Sequence, residues 1–250
     1  MISDLFGWRA VFVAQMVFGL AVLILTLIDL SETNQHKSAT FAAQFRNYPT
    51  IIASAHYWGF AITLCFGVST FFVFLAGMPL IGSTVFGFSQ TQIGMVLGTL
   101  TVGYIFANAI TRQAALHFRA STLMVFGRCI GVLGAAGSLL FIYLGFTSPY
   151  ILIPPLMLLG AANGFAVQPA NAGVVSVNPK LAGSAAGLSG ALIYWIGAGA
   201  STLMSLTLSA NPSALFFVSM LFGATCLGLI PALFTLWLDR RDARKRAAPR

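Results

Sequence analysis

Long apolar stretches alternate with short polar links along the whole chain. Seven of these stretches hold roughly 20 residues each, and about 20 apolar residues are what an α-helix needs to cross the ~30 Å hydrocarbon layer of a bilayer. They cover residues 9–30, 55–77, 91–110, 122–145, 151–171, 184–208 and 213–237. Because irregular backbone is not tolerated in contact with lipid, the pattern predicts an all-α membrane protein with seven transmembrane helices.

Polar and turn-forming residues mark where several of these spans begin and end. Ser89-Gln90-Thr91-Gln92 is typical of an N-cap and first helical turn, so the third span is predicted to start there. The second span is predicted to end near Gly77-Met78-Pro79, before an outer loop rich in Gly, Ser and Thr. The links at 146–150 and 209–212 are long enough only for tight turns.

The composition supports a lipid environment. Hydrophobic residues make up 58% of the chain and charged residues only 7%. A soluble domain of this length needs far more charge to cover its surface, so the solvent around most of the chain is expected to be lipid.

The basic residues divide unevenly between the two sides of the membrane. If the N-terminus lies outside, eleven Lys and Arg residues lie on the inner side and only Arg9 lies on the outer side. The inner residues are Lys37, Arg46, Arg112, Arg119, Lys180, Arg240, Arg241, Arg244, Lys245, Arg246 and Arg250. This bias predicts a cytoplasmic C-terminus. It also disfavours nucleic-acid binding, because basic tails after a last span usually hold the cytoplasmic side or contact anionic lipid.

Motifs for catalysis or metal binding are absent from the sequence. There is no HExxH and no His or Cys cluster at metal spacing, so we expect no catalytic residue, metal or cofactor. Gly187-Leu188-Ser189-Gly190 matches the GxSG of rhomboid proteases, whose serine takes its base from a later helix. All three histidines precede Ser189, so this serine is interpreted as a helix-packing residue.

Two other seven-span classes are also disfavoured. A retinal protein needs a lysine in its last span, and residues 213–237 contain none. A G-protein-coupled receptor fits poorly, because the spans are joined by minimal loops without an outer disulfide pair.

Polar and aromatic side chains near the span centres are the candidate binding residues. Buried polar groups are costly in a bilayer and usually face a cavity or a partner helix. Aromatic rings with a few amides and hydroxyls suit bulky, partly apolar ligands, although for a single Phe a packing or lipid-facing role is commoner. The candidates are Phe66, Thr70, Phe74, Tyr104, Asn108, Asn163, Tyr194 and Trp195.

Arg128 is the one charged residue deep within a predicted span, about six residues from its inner end. The favoured expectation is that its long side chain snorkels to the lipid headgroups. The alternative is a functional role in which it pairs with an acid or a backbone carbonyl.

Small residues form a stripe along the sixth predicted span. They recur three, four or seven positions apart, which lets another backbone approach closely. They are Gly183, Gly187, Gly190, Gly197 and Ser201. A sliding contact between moving parts and static helix packing are equally good interpretations of this stripe.

Three groups of residues carry a resemblance to a known family. Gly7-Trp8-Arg9, before an apolar span that ends in Leu30-Ser31-Glu32-Thr33, resembles the sixth span of drug/proton antiporters of the major facilitator superfamily. Phe71-Phe72-Val73-Phe74-Leu75-Ala76-Gly77-Met78-Pro79, with Phe86-Gly87-Phe88-Ser89-Gln90-Thr91-Gln92-Ile93-Gly94, is similar to the seventh-to-eighth span region of the Bcr/CflA subfamily. Ala182-Gly183-Ser184-Ala185-Ala186-Gly187-Leu188-Ser189-Gly190 resembles its eleventh span.

The resemblance implies two six-helix bundles that rock about a central site, driven by the proton gradient. It makes the seven spans the sixth through the twelfth, so the chain would be a fragment without the first five. In this family the proton-coupling acid lies mainly in the N-terminal bundle, and no mid-membrane carboxylate replaces it here. We therefore expect no coupled transport from the isolated polypeptide.

The resemblance also implies a domain organisation. Residues 1–30 would form an outer segment and the last helix of the N-terminal bundle, and 31–54 a cytoplasmic loop between bundles. Residues 55–237 would form the C-terminal six-helix major facilitator bundle, and 238–250 a basic cytoplasmic tail.

The leading hypothesis is part of a multidrug efflux antiporter in a bacterial inner membrane, exporting bulky hydrophobic or cationic compounds and conferring antibiotic resistance. Its partners would be a small-molecule substrate, protons, the lipid bilayer and the missing N-terminal bundle. The alternatives are a transport-inactive remnant, a half-transporter that needs a partner chain, and a metabolite or sugar exporter of the same superfamily.

Overall fold

The computed structural model describes residues 7–29, 48–146 and 148–247, and every regular element in these ranges is helical. The helices are α1 (Trp8–Asp29), α2 (Tyr48–Ile52), α3 (Ala55–Thr84), α4 (Gln90–Ala114), α5 (Ala120–Tyr143), α6 (Pro149–Ser176), α7 (Ala182–Ala210) and α8 (Ala214–Ala247), with a 3₁₀ turn at Pro179–Leu181. Seven of the described helices are long and apolar enough to cross a membrane. The predicted all-α membrane fold with seven spans is confirmed.

The chain divides into two units. The first runs from Met1 to Phe41 and contains α1, and the second runs from Ala42 to Arg250 and contains α2 to α8. Most of the predicted cytoplasmic loop, with Lys37 and Arg46, lies outside the described residues, as does Arg250. The finer domain boundaries therefore stay predictions.

The predicted start of α4 is confirmed in atomic detail. Ser89 is the N-cap: its hydroxyl accepts a hydrogen bond from the N–H of Gln92 at 3.3 Å. The Gln92 side chain accepts one in return from the N–H of Ser89 at 2.8 Å. This reciprocal pair satisfies two of the N–H groups that a helix start leaves open.

The predicted end of the second span near Pro79 is wrong. Helix α3 continues through Pro79 to Thr84. Met78 and Ile81, on either side of the proline, are buried in the bundle core, and their packing holds the chain helical. A proline removes only one backbone hydrogen bond, and neighbouring packing offsets that loss in membrane helices.

Helix α6 lies at the centre of the second unit and packs against α3, α4, α5 and α7. Glycines make this possible. A Cβ at Gly103 of α4 would overlap the backbone of α6, and a Cβ at Gly160 of α6 would overlap the backbone of α4. A Cβ at Gly127 or Gly134 of α5 would also come too close to the α6 backbone, at 2.7 Å. Small residues at these positions let helices approach closely, which is how helices associate when lipid is the solvent.

Two apolar clusters fill the bundle, one toward each end. The first includes Phe74, Met78 and Phe217, and the second includes Tyr57 and Met124. Between them along α5 and α6 come Arg128 and Asn163, both buried. A charged residue and an amide therefore lie near mid-height of the bundle, between its two apolar clusters.

Candidate substrate site

A cavity of about 320 Å³ opens between the middle turns of α3, α4 and α6. Its lining is largely apolar, with three polar side chains among the residues that form it. The lining residues are Val68, Phe71, Leu100, Thr101, Tyr104, Asn163 and Val167. Cavities of this size and composition hold small organic ligands, with the apolar walls supplying contact area and the few polar groups fixing orientation.

Asn163 joins this cavity to the buried Arg128. Nη1 of Arg128 donates a hydrogen bond to Oδ1 of Asn163 at 3.3 Å. Asn163 lies at the midpoint of α6 and is 7% exposed. The carboxamide therefore has its oxygen on the arginine side, inside the bundle, while the residue also lines the cavity.

Arg128 itself is enclosed by the bundle. Its side chain is 1% exposed, Nη2 donates to the backbone oxygen of Thr63 at 3.2 Å, and Nε has no hydrogen-bond partner. Gly67 and Gly228 leave the space that it occupies, since a Cβ at Gly67 would overlap Nη2 and one at Gly228 would lie 3.4 Å from Cδ.

The expectation that Arg128 snorkels to the headgroups is therefore wrong. Helix α5 begins at Ala120, so Arg128 lies eight residues, about 12 Å, from the helix start. Its guanidinium turns toward the carbonyl of Thr63 and the amide of Asn163 on neighbouring helices. The contact with a backbone carbonyl, which belonged to the alternative expectation, is present in the structure, whereas the functional role stays a prediction.

Tyr104 is the second polar group of the cavity that the sequence predicted. Gln168 follows Asn163 by five residues on α6, and its Nε2 donates to the phenol oxygen of Tyr104 at 2.7 Å. Gln168 fixes the ring position and leaves the hydroxyl hydrogen of Tyr104 free to donate elsewhere. Gln168 was not among the predicted site residues, although its polarity within a span was a signal for it.

The eight predicted binding residues do not all lie together. Tyr104 and Asn163 line the cavity. Asn108 lines a second groove of about 640 Å³, together with Arg112 and Gln168. Phe66 and Trp195 line a third groove of about 1100 Å³ between α3, α7 and α8. As binding residues, all eight stay predictions.

The remaining three lie elsewhere in the bundle. Thr70 is buried, and its hydroxyl donates to the carbonyl of Phe66 at 2.8 Å. Phe74 is fully buried and stacks on Phe217 with ring centroids 6.2 Å apart. Tyr194 is 70% exposed, with its ring 6.3 Å from that of Phe72.

Sequence reasoning missed five of the seven lining residues, among them Leu100 of α4 and Val167 of α6. Val68 and Phe71 are one turn apart on α3, and Thr101 is next to Leu100 on α4. Their spacing is helical, but apolar residues occur on every side of these helices. Nothing in the pattern distinguished a cavity wall from a lipid-facing surface.

The small-residue stripe divides along α7. Gly197 packs inside the bundle, because a Cβ there would overlap the ring of Phe72. A Cβ at Gly183, Gly187 or Gly190 would meet no described atom within 4 Å. These three glycines leave an open, narrow face on α7, and whether they pack against another helix stays a prediction.

A cluster of charged and polar side chains ties the start of α3 to the last turns of α8. Nε2 of His56 lies 3.3 Å from Oδ1 of Asp239 and 3.6 Å from Oδ2 of Asp242. The hydroxyl of Ser121 donates to Oδ2 of Asp239 at 2.5 Å. Among the described residues, no group of three His, Cys, Asp or Glu is placed to hold a metal ion. This cluster fastens three helix ends at one side of the bundle.

The family model described as Major Facilitator Superfamily matches residues 1–202. No curated protein matches the chain.

Proposed function

This chain belongs to the major facilitator superfamily, a family of secondary transporters, and we propose that it carries one side of the substrate pathway of a proton-coupled exporter. The proposed substrates are bulky, largely apolar small molecules, as for the Bcr/CflA drug antiporters that the sequence resembles. The proposed location is a bacterial inner membrane, with the C-terminus in the cytoplasm.

The cavity between α3, α4 and α6 is the observation that carries this proposal. It combines apolar walls with the polar groups of Thr101, Tyr104 and Asn163. A site of this kind binds mainly through contact area, which suits chemically varied aromatic compounds better than small, heavily hydroxylated sugars. This favours efflux of bulky compounds over the sugar-exporter alternative.

A second bundle is part of the proposal. The open glycine face of α7, at Gly183, Gly187 and Gly190, is narrow enough for another helix to approach closely. The acidic side chains described in the second unit, Asp239 and Asp242, lie on the last turns of α8. The proton-coupling acid is therefore proposed to lie in the N-terminal bundle.

Binding and accumulation together test the proposal. The probe is a neutral aromatic compound, 1-naphthyl methyl sulfone, bound to the full chain in phosphatidylcholine nanodiscs and compared with empty nanodiscs. We expect saturable binding that Thr101→Trp abolishes, since the indole fills the cavity. Thr99→Trp is the matched control, because Thr99 lies on the same helix and does not line the cavity.

The cellular arm uses a bacterial strain without its main efflux pumps. Expression of the chain alone is expected to leave accumulation of the naphthyl probe unchanged, because the proton-coupling acid is proposed to lie in the N-terminal bundle. Accumulation that the chain alone lowers, and that a protonophore restores, would contradict this placement of the acid. Saturable binding without any change in accumulation would favour the half-transporter that needs a partner chain. An absence of saturable binding would contradict the assignment of this cavity as the substrate site.

A further inference from the structure

The orientation of the Asn163 carboxamide follows from the chemistry of its neighbour. An arginine side chain has donors and no acceptor, so only the amide oxygen can face Arg128. The observed contact, Nη1 to Oδ1 at 3.3 Å, has this arrangement. With the oxygen committed to Arg128, the amide offers its NH₂ group, a pure donor, as the free group of a residue that lines the cavity.

Tyr104 presents the same kind of group. Its phenol oxygen already accepts a hydrogen bond from Nε2 of Gln168 at 2.7 Å. The hydroxyl hydrogen is then the group left for a ligand. Two of the three polar side chains of the cavity are therefore set to donate hydrogen bonds.

Arg128 adds a positive charge next to Asn163, one of the residues that line the cavity. It makes no ion pair with any residue that the structure describes, and its Nε is unpartnered. Gly228 of α8 lies against the guanidinium, and Asp239 follows eleven residues later, about 16 Å along the helix axis. His56 lies within 4 Å of that carboxylate, in the cluster at the helix ends. The charge at mid-height is therefore left largely uncompensated within the described bundle.

A buried charge without a counter-charge is costly, and in a medium of low dielectric constant its field reaches several ångströms. An anionic or acceptor-rich group in the cavity would reduce that cost. A cationic group would increase it.

We propose that the cavity selects substrates through a group that accepts hydrogen bonds or carries negative charge, and that Arg128 sets this preference by orienting Asn163 and by its own field. This inference rests on the proposed function and narrows its substrate class. Of the hydrophobic and cationic compounds expected from the sequence, it disfavours the cationic ones. Arg128 is a positioning residue in this account, because Asn163 contacts the substrate.

Three compounds with the same ring test the preference. They are naphthalene-1-sulfonate, 1-naphthyl methyl sulfone and (1-naphthyl)trimethylammonium, each bound to the full chain in nanodiscs of uncharged phosphatidylcholine. Empty nanodiscs give the lipid contribution to be subtracted. We expect the sulfonate to bind at least about tenfold more tightly than the ammonium compound, a modest effect for a buried charge that acts across one intervening side chain.

Three variants separate this role from a structural one. Arg128→Gln is expected to remove the tenfold difference, and Arg128→Lys to keep most of it, because the charge is retained. Asn163→Asp places a carboxylate beside Arg128 with almost no change in shape. It is expected to keep the fold by pairing with the guanidinium, and to reduce the binding of the sulfonate below that of the neutral sulfone.

The neutral sulfone separates failure of this inference from failure of the proposed function. If the sulfone binds saturably and the ammonium compound binds as well as the sulfonate, the charge preference is overturned and the cavity remains the substrate site. If neither the sulfone nor the sulfonate shows saturable binding, both the proposed function and this inference are overturned. A preference for the sulfonate that persists unchanged in Arg128→Gln and Asn163→Asp also overturns the role of Arg128.

Discussion

Nη1 of Arg128 on α5 donates to Oδ1 of Asn163 on α6 across 3.3 Å, between the two apolar clusters of the bundle. One partner is enclosed among helices, and the other lines the candidate substrate cavity. A buried charge and a ligand-facing amide are thus linked by a single contact. Changes at either residue are expected to affect both stability and binding.

The link predicts a large stability loss when Asn163 is made apolar. In Asn163→Leu the Arg128 guanidinium loses a buried acceptor, which is expected to lower the free energy of unfolding by about 3 kcal/mol. Unfolding in detergent micelles, followed by circular dichroism, measures it. Asn108→Leu is the control, because Asn108 is only half-buried and its loss strands no buried charge.

The double variant sharpens this prediction. Arg128→Met combined with Asn163→Leu removes the charge together with its acceptor, so the double variant should be more stable than Asn163→Leu alone. If the double variant loses as much stability as Arg128→Met and Asn163→Leu lose together, the contact between the two residues is not the cause of the loss.

Close packing of α4 on α6 predicts unequal effects of glycine substitutions. A Cβ at Gly160 would overlap the backbone of Leu100, so Gly160→Ala should destabilise the bundle by about 1–3 kcal/mol. Gly187→Ala, whose Cβ would meet no described atom within 4 Å, should be neutral or slightly stabilising in the same unfolding assay. Equal losses for the two variants would contradict the packing described for α6.

The cluster at the helix ends predicts that its two carboxylates, Asp239 and Asp242, contribute unequally to the free energy of unfolding. Asp239→Asn weakens the contact with His56 and loses the carboxylate that accepts a short hydrogen bond from Ser121, so a loss of about 1 kcal/mol is expected. Asp242 is about half exposed and lies farther from His56, so Asp242→Asn should change stability by less than about 0.5 kcal/mol. A larger loss for Asp242→Asn than for Asp239→Asn would show that the anchoring lies elsewhere.

The charge bias predicts the orientation of the bundle. In a chain with its three cysteines replaced by alanine, Gln90→Cys should react with a membrane-impermeant maleimide added outside intact cells. Leu116→Cys, in the exposed link between α4 and α5, should react only after the cells are permeabilised. The reverse pattern would place the basic links outside and contradict the predicted topology.

Sequence reasoning recovered the spans well, because the length of an apolar stretch is a direct physical requirement of the bilayer. It also placed the Ser89 cap correctly, since capping is local. The side-chain position of Arg128 depends on residues far away in the sequence, because its partners Thr63 and Asn163 belong to two other helices. For an isolated span, snorkelling is the expected behaviour of an arginine. Similarly, Phe74 and Tyr104 are both aromatic residues near the centre of an apolar span. Only the packing of the helices shows that Phe74 lies in the core and that Tyr104 lines the cavity.

Photocrosslinking tests the central claim, that the cavity between α3, α4 and α6 holds the substrate, most directly. A diazirine derivative of 1-naphthyl methyl sulfone would be activated on the full chain in nanodiscs, with and without excess unlabelled sulfone, and the adducts mapped by mass spectrometry. The account predicts competed adducts around Leu100 to Tyr104 and Asn163 to Val167. Competed adducts confined to α7 and α8 near Trp195 and Leu227 would contradict it and place the substrate in the third groove.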